Sequence, residues 1–245
     1  MKLKYSIIIP TLNEEKLLPN LLKQLCSNNV KTRFSCEIII SDGGSKDNTL
    51  KIAKEHADKV IEKAGTKKQT IAEGRNAGVI QANGDYFVFL GADIILKDCD
   101  QFFAILDNRF SNNSKYLAFT CDVKIFPEEE DSKDRFFHNI LNTYFYLLNI
   151  FGVGMGRGEC QVVRKDVFQK VGGYNENLAA GEDFDLFKRI RKLGKILHVR
   201  DFCVYESPRR YKKFGYLNVC KMWLINAFFV IFKNKSMDNE WEQVR

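Results

Sequence analysis

Three short polar clusters stand directly after apolar, β-branched or aromatic runs. They are TLNE at 11–14 after Ile7–Ile9, SDGGS at 41–45 after Ile38–Ile40, and GAD at 91–93 after Tyr86–Leu90. Their side chains are mostly carboxylates, amides and hydroxyls, which hold polar small molecules through hydrogen bonds. Gly43-Gly44 allows a tight turn or a close backbone approach to a flat ligand. Later, Glu182-Asp183 opens a helical pattern, where the pair reads either as dipole-favoured N-terminal acids or as reactive groups. YESPRR adds Glu206, Arg209 and Arg210, and guanidinium forks suit phosphate oxygens. Thiol and zinc chemistry are disfavoured: the seven cysteines contain no C-x-x-C, and His56, His138 and His198 are spaced wrongly for a compact zinc site. No G-x-G-x-x-G opens the first helix and no P-loop occurs, so dinucleotide and P-loop sites are disfavoured too.

The elements that must position these clusters alternate through the first hundred residues, which predicts βαβ units and a parallel sheet. Pro10 should end the first strand, and Asn13 should cap a helix carrying Leu17, Leu18, Leu21, Leu22 and Leu25 at core-facing spacing. A second helix runs through Lys54, a short strand covers Lys59–Ile61, and a third helix lies around Gly74–Ala82. Ligands of such sheets bind beyond the carboxyl ends of the strands. The three clusters therefore predict one polar pocket.

The alternation then loosens. Leu117–Phe126 reads as a strand and 182–193 as a helix, while Ile196–Val199 and Phe202–Tyr205 read as a strand pair. Over 136–151, His138, Asn139, Asn142, Thr143 and Asn149 share one sector about 140° wide, predicting an amphipathic helix with an aromatic apolar side. That side suits core, a dimer face or a groove for a lipid. GVGMGRGEC, with Gly154, Gly156 and Gly158, reads as a flexible loop, an ordinary turn or a gate.

SIIIPTLNEEKLL, EIIISDGGSKDNT, EGRNAGVIQANGDYFVFLGADI and GGYNENLAAGEDFDLFKRI resemble, in order and spacing, the successive motifs of glycosyltransferase family 2, over roughly residues 5–210. The resemblance implies a GT-A fold: an α/β, Rossmann-like, mixed but mainly parallel sheet flanked by helices. It also implies a UDP- or GDP-sugar donor. By this resemblance Pro10, Thr11, Asn13 and Glu14 line the base and ribose, and Asp42 accepts a hydrogen bond from the base. Arg75 and Asn76 belong to a helix closing over the nucleotide, and Ala92 sits within the D-x-D motif. Asp93 matches that motif's last position, the ligand of a Mg²⁺ or Mn²⁺ ion on the diphosphate, and Glu182 and Asp183 match the pair whose aspartate deprotonates the acceptor hydroxyl. Two positions depart from the pattern. Gly91 stands where the first aspartate belongs, and Glu206 where many relatives carry a metal-binding histidine; an oxygen ligand there suits Mg²⁺ or Mn²⁺. The expected activity is inverting, metal-assisted sugar transfer to a lipid-linked or envelope glycan acceptor, with Arg209 and Arg210 on a phosphate. A nucleotidyltransferase and a degenerate, non-catalytic membrane-surface protein are the alternatives.

The formal charge of +7 locates the tail. Residues 207–245 hold eight of the 38 Lys and Arg but only three of the 31 Asp and Glu, leaving the rest close to neutral. The division expected is a GT-A domain at 1–210 and a basic amphipathic tail at 211–245. Within it, 15 of the 19 residues from 214 to 232 are apolar, a helix of roughly 28 Å. Lys221 and two asparagines disfavour a membrane crossing. Flanking Arg209, Arg210, Lys212, Lys213, Lys233 and Lys235 favour a membrane surface over docking on the domain. Nucleic acid is the least expected partner, since no recognition motif accompanies these residues. Scattered thiols and the absence of a signal-peptide pattern place the expected protein in the cytoplasm, peripheral to the membrane's inner face.

Overall fold

Strands form where the β-branched runs lie. The computed structural model describes residues 2–27, 29–66 and 68–233, together with Ser236 and Val244. Lys235 and the side chain of Lys233, counted above in the basic flank, lie outside the described residues. β1 (Tyr5–Thr11), α1 (Leu18–Cys26), α2 (Val30–Arg33), β2 (Cys36–Asp42), α3 (Thr49–His56), β3 (Lys59–Glu62), α4 (Ile71–Ile80) and β4 (Tyr86–Leu90) form the alternating first half. Then follow β5 (Ile94–Leu96), α5 (Cys99–Ile105) with a π-helical extension to Ser111, β6 (Tyr116–Ile125), α6 (Ser132–Ile150), β7 (Cys160–Arg164) and α7 (Lys165–Lys170). α8 (Glu182–Arg191), β8 (Lys195–Glu206), α9 (Arg209–Phe214) and α10 (Tyr216–Lys233) complete the order.

The eight strands make one sheet in the order β3-β2-β1-β4-β7-β6-β8-β5. β3, β2, β1 and β4 are mutually parallel, β7 runs antiparallel to both neighbours, β6 and β8 are parallel, and β5 is antiparallel to β8. This is the expected mixed, mainly parallel GT-A sheet. Alternate residues of each inner strand enter opposite cores. Ile7, Ile9, Ile38 and Ile40 pack with Leu21, Leu22, Phe102 and Phe103, while Ile8 and Ile39 pack with Phe87, Phe89, Phe168 and Phe187. Each isoleucine fully withdrawn from water contributes about 1.5–3 kcal/mol, which fixes the register of the strands.

Several local expectations shift. β1 continues through Pro10 to Thr11. Asn13 does not cap α1: it sits in the left-handed region at φ 54°, and the helix begins at Leu18 with Pro19 in its first turn. Asn13 instead braces two loops, its backbone N–H donating to Ser45 Oγ and its Oδ1 accepting from the Lys46 N–H. The strand pair expected at 196–205 is a single strand, β8, whose pairing with β6 breaks register between Cys121 and Asp122. The tail helix begins at 216, because Gly215 adopts φ 75° and separates it from α9.

Of the readings open for the aromatic side of α6, burial in the core holds only for Leu141 and Phe145. His138, Asn142 and Asn149 face inward, while Phe136, Ile140, Tyr144, Leu147, Ile150 and Phe151 are exposed. The cause lies in the sheet. β7 pairs with β6 only as far as Thr120, and beyond it the Asn142 amide supplies partners, accepting from Val123 N–H and donating to Val123 O. Buried backbone groups require such partners, and this requirement outweighs covering the aromatic side.

α10 packs through Val219, Trp223, Asn226 and Val230, with Val219 joining Ile125 and Tyr211 in a small separate core. No helix among the described residues is long and apolar enough to cross a membrane.

Candidate active site

The parallel strands β1, β2 and β4 all end at one sheet edge, and the connections diverge between β1 and β4, the position where open α/β sheets form a crevice. A cleft of about 1120 Å³ opens there. Pro10, Thr11, Glu14, Ala92 and Asp93 border it from the strand ends, Arg75 from α4, Glu182 and Asp183 from α8, and Glu206, Arg209 and Arg210 from the β8–α9 corner. Asn13, Asp42 and Asn76 lie off its wall. Asp42 is buried and accepts from Thr11 Oγ1 (3.1 Å), from the N–H groups of Gly44 and Ser45, and from Ser45 Oγ, so it shapes the 43–45 loop. Asn76 clamps the 174–176 segment, donating to Tyr174 O and Glu176 Oε1.

Two charged clusters border the cleft, joined through the 157–159 segment. In the first, Arg75, only 3% exposed, donates to Glu182 Oε1 (2.9 Å) and to Gly158 O (2.7 Å), and its guanidinium lies over the Tyr174 ring. α4 presents it from a helix fixed by a capping box between Thr70 and Glu73. Burial, and then the adjacent Asp183, push the Glu182 carboxyl up to about 7 against the opposing pull of Arg75. Burial also raises Asp183, whose Oδ2 accepts the Gly158 N–H at 3.0 Å.

In the second cluster Arg209 forks onto Glu14 (2.6 and 3.0 Å) and reaches Asp93 Oδ2 at 2.8 Å. Beside it, Arg157 holds Glu159 (3.0 Å) and Glu206 (2.6 Å), and Tyr211 donates to Glu206 at 2.9 Å. Burial pushes Glu206 up to about 8, although Arg157 opposes the shift. His138, behind this group, is driven down to about 3 by burial and by Arg157.

Arg157 and Glu159 are the site residues that sequence reasoning passed over; they flank Gly158 inside the loop read as flexible, as an ordinary turn or as a gate. The alternating glycines were the available signal. A Cβ at 156 would lie 2.3 Å from the Phe187 ring, and one at 158 would lie 3.0 Å from the Arg75 guanidinium. The loop is pressed against α8 and delivers a backbone N–H to Asp183. Gly91 has a related explanation, since a side chain there would crowd Asp93 Oδ1 at 3.1 Å.

The sequence profile of glycosyl transferase family 2 matches residues 6–172. The chain belongs to glycosyl transferase family 2. Among its family 2 relatives, an O-antigen chain rhamnosyltransferase of Salmonella typhimurium is 24% identical over 92% of this chain and 76% of its own. A PGL/p-HBAD biosynthesis glycosyltransferase of Mycobacterium tuberculosis is 37% identical over 39% of this chain. That match spans only 38% of the mycobacterial protein's length. Among solved structures, a mannosyltransferase of Pyrobaculum calidifontis in complex with GDP-Man and Mn²⁺ superposes with a TM-score of 0.73 at 16% identity, covering all of this chain and 66% of its own. TarS 1–349 of S. aureus with UDP-GlcNAc gives 0.60 at 17% identity, covering 93% of this chain and 67% of its own. These likenesses establish that the family 2 chain has a GT-A glycosyltransferase fold.

The donor set was tested against the Mn²⁺ seen in such neighbours. Among the described residues no three acidic, histidine or cysteine side chains form a group that could hold a metal ion. Ions held on substrate phosphates commonly take only one or two carboxylates and keep several waters. Asp93, partly exposed on the cleft wall, fits that demand. Glu206 lies across the β5–β8 ladder, opposite Ile94, but is engaged by Arg157 and Tyr211.

Proposed function

We propose that this chain is an inverting glycosyltransferase that moves a sugar from a UDP- or GDP-sugar to a lipid-linked or envelope glycan acceptor at the cytoplasmic face of a membrane. What supports this reading is that Asp93 and Asp183, distant in sequence, border the same cleft, one beside Arg209 and the other beside Arg75. Asp93 would hold a Mg²⁺ or Mn²⁺ ion, with Glu206 as second ligand once released from Arg157, and the bound ion would supply Lewis-acid neutralisation of the leaving diphosphate.

The chain's own groups supply the rest. Arg209 and Arg210 border the cleft beside Asp93, and their guanidinium groups would turn to phosphate oxygens once Arg209 leaves Glu14 and Asp93. Asp183 receives the acceptor hydroxyl proton while that oxygen attacks the anomeric carbon from the side opposite the departing diphosphate. Its raised affinity for protons brings it closer to the working pH of a general base. The Gly158 N–H fixes one carboxylate oxygen, and Arg75 balances the neighbouring Glu182, so two adjacent acids coexist.

A panel of UDP- and GDP-sugars incubated with the protein, with Mn²⁺ or with chelator, tests the reading. Release of a nucleoside diphosphate from at least one donor is expected. No turnover or binding of any donor overturns it, as does pyrophosphate release from a nucleoside triphosphate and a sugar phosphate.

A further inference from the structure

Helix α6 leaves an exposed row of Phe136, Ile140, Tyr144, Leu147 and Phe151 along one side. Exposed apolar surface of this extent on a soluble fold marks a binding surface. α10 exposes Leu217, Lys221 and Leu224 at helical spacing. The two helices meet at Phe137 and Tyr216, whose ring centroids are 4.1 Å apart. Farther along, both border the cleft: Leu141, Tyr144, Phe145 and Leu148 from α6, and Trp223 and Leu224 from α10. Tyr144 and Leu224 belong to the cleft wall and to the exposed rows alike. The cleft therefore has a polar end at Asp93 and Asp183 and an apolar arm that opens to solvent between α6 and α10.

From this continuity we infer that the α6–α10 arm binds the hydrocarbon chain of the acceptor, an acyl or isoprenoid chain whose anionic or sugar-bearing head reaches Asp183. The inference rests on the proposed function and names the acceptor class for that site. The cleft exceeds the roughly 300–1,000 Å³ of a typical small-molecule site, which leaves room for an acceptor beside a donor. A second copy of the protein would cover the outer row without entering the arm, whereas a chain fills both. Lys221, exposed between Leu217 and Leu224, keeps its charge in water above these apolar contacts. Each methylene withdrawn from water strengthens binding roughly fourfold.

Trp223 is a built-in reporter, and a Trp241→Phe background leaves it as the only indole of the two in the sequence. The probe is an alkyl phosphate with a brominated dodecyl chain, kept below its micelle concentration, with inorganic phosphate as the head-only control. Saturable quenching of Trp223 by the chain and none by inorganic phosphate is expected. Tyr144→Asp and Leu224→Asp, both at partly exposed positions, should each weaken the probe roughly tenfold or more, because they bring a charge into the apolar arm. Absence of saturable quenching overturns the inference, as does quenching that both variants retain. Quenching seen only with vesicles carrying brominated acyl chains, and never with the monomeric probe, overturns it in favour of a flat membrane contact. Donor hydrolysis without chain binding leaves the proposed function standing, whereas chain binding without turnover of any nucleotide-sugar removes that reading instead.

Discussion

Replacing Arg75 with methionine tests the arrangement of the two acids most directly. The wild-type guanidinium is buried, 2.9 Å from Glu182 and 2.7 Å from Gly158 O. Methionine preserves much of the volume and removes both contacts, leaving buried Glu182 and half-buried Asp183 without their counter-ion. Breaking such a pair from one side costs about 3–5 kcal/mol. With a urea m-value of roughly 3 kcal/mol per M for a chain of this size, the midpoint should fall by about 1–1.7 M. Arg75→Lys keeps the charge but only part of the fork and should lose about 1–3 kcal/mol. Adding Glu182→Gln to Arg75→Met should recover part of the loss, because a neutral amide no longer demands a counter-ion. The pH dependence carries a definite sign. Glu182 already holds its proton to about 7 in the folded state, above the ordinary carboxylate range, so its contribution to stability is present at low pH and lost as pH rises from about 4.5 to 7. Without Arg75 the folded value rises further, and the cost of the substitution should be smaller at pH 5 than at pH 8. A loss below about 1 kcal/mol, or a cost that grows on acidification, would refute the reasoning.

Other measurements reach different parts of the site. Calorimetry of UDP and GDP should show binding enhanced by Mn²⁺ in the wild type, no enhancement in Asp93→Asn and a reduced one in Glu206→Ala; undiminished enhancement in the last removes Glu206 from the ligand set. Asp183→Asn should keep nucleotide affinity and lose roughly 10²–10⁴-fold in transfer to a hydroxyl acceptor, whereas a phosphate acceptor, which needs no base, should retain appreciable turnover. His138, held down to about 3, should show no imidazole titration by NMR from pH 5 to 8; below about 6.5 the unfolded chain takes up the proton that the folded one refuses, so this residue should reduce stability by roughly 1.4 kcal/mol per pH unit. Gly156→Ala, which drives a methyl into Phe187, should cost about 1–3 kcal/mol and lower the melting temperature by roughly 2–12 °C in calorimetry.

The first half of the sheet was legible because each signal there is local. An isoleucine run followed by a polar cluster is a strand and its functional end, and Asp93 falls on the cleft wall for that reason. Asp42 shows the limit of the same rule, since strand-end position does not reveal that two backbone N–H groups and two hydroxyls already surround its carboxylate. α6 was visible as a helix, but its facing was not. Periodicity separates polar from apolar sides, while the inward side was chosen by Val123, a backbone position stranded where β7 ends. β5 escaped because three residues carry too little pattern, and β7 because CQVVR holds only two β-branched residues, side by side between polar ones. The Arg157–Glu206 pairing joins distant residues across the β8–α9 corner, and no spacing rule anticipates such a contact.

The ladder at the sheet's end has a consequence for how the protein is made. β5 pairs only with β8, Leu96 against Val204 and Ile94 against Glu206, although more than a hundred residues separate them. At a ribosomal rate of about 5–20 residues per second, the earlier segment waits roughly 5–20 s for its partner. During that interval Ile94 and Leu96, wholly withdrawn from water in the finished fold, have an open edge and no ladder. The nascent chain should be most susceptible to holdase chaperones and to misassociation in that window, and the carboxylate of Asp93 gains its Arg209 partner only when α9, after the last strand, emerges.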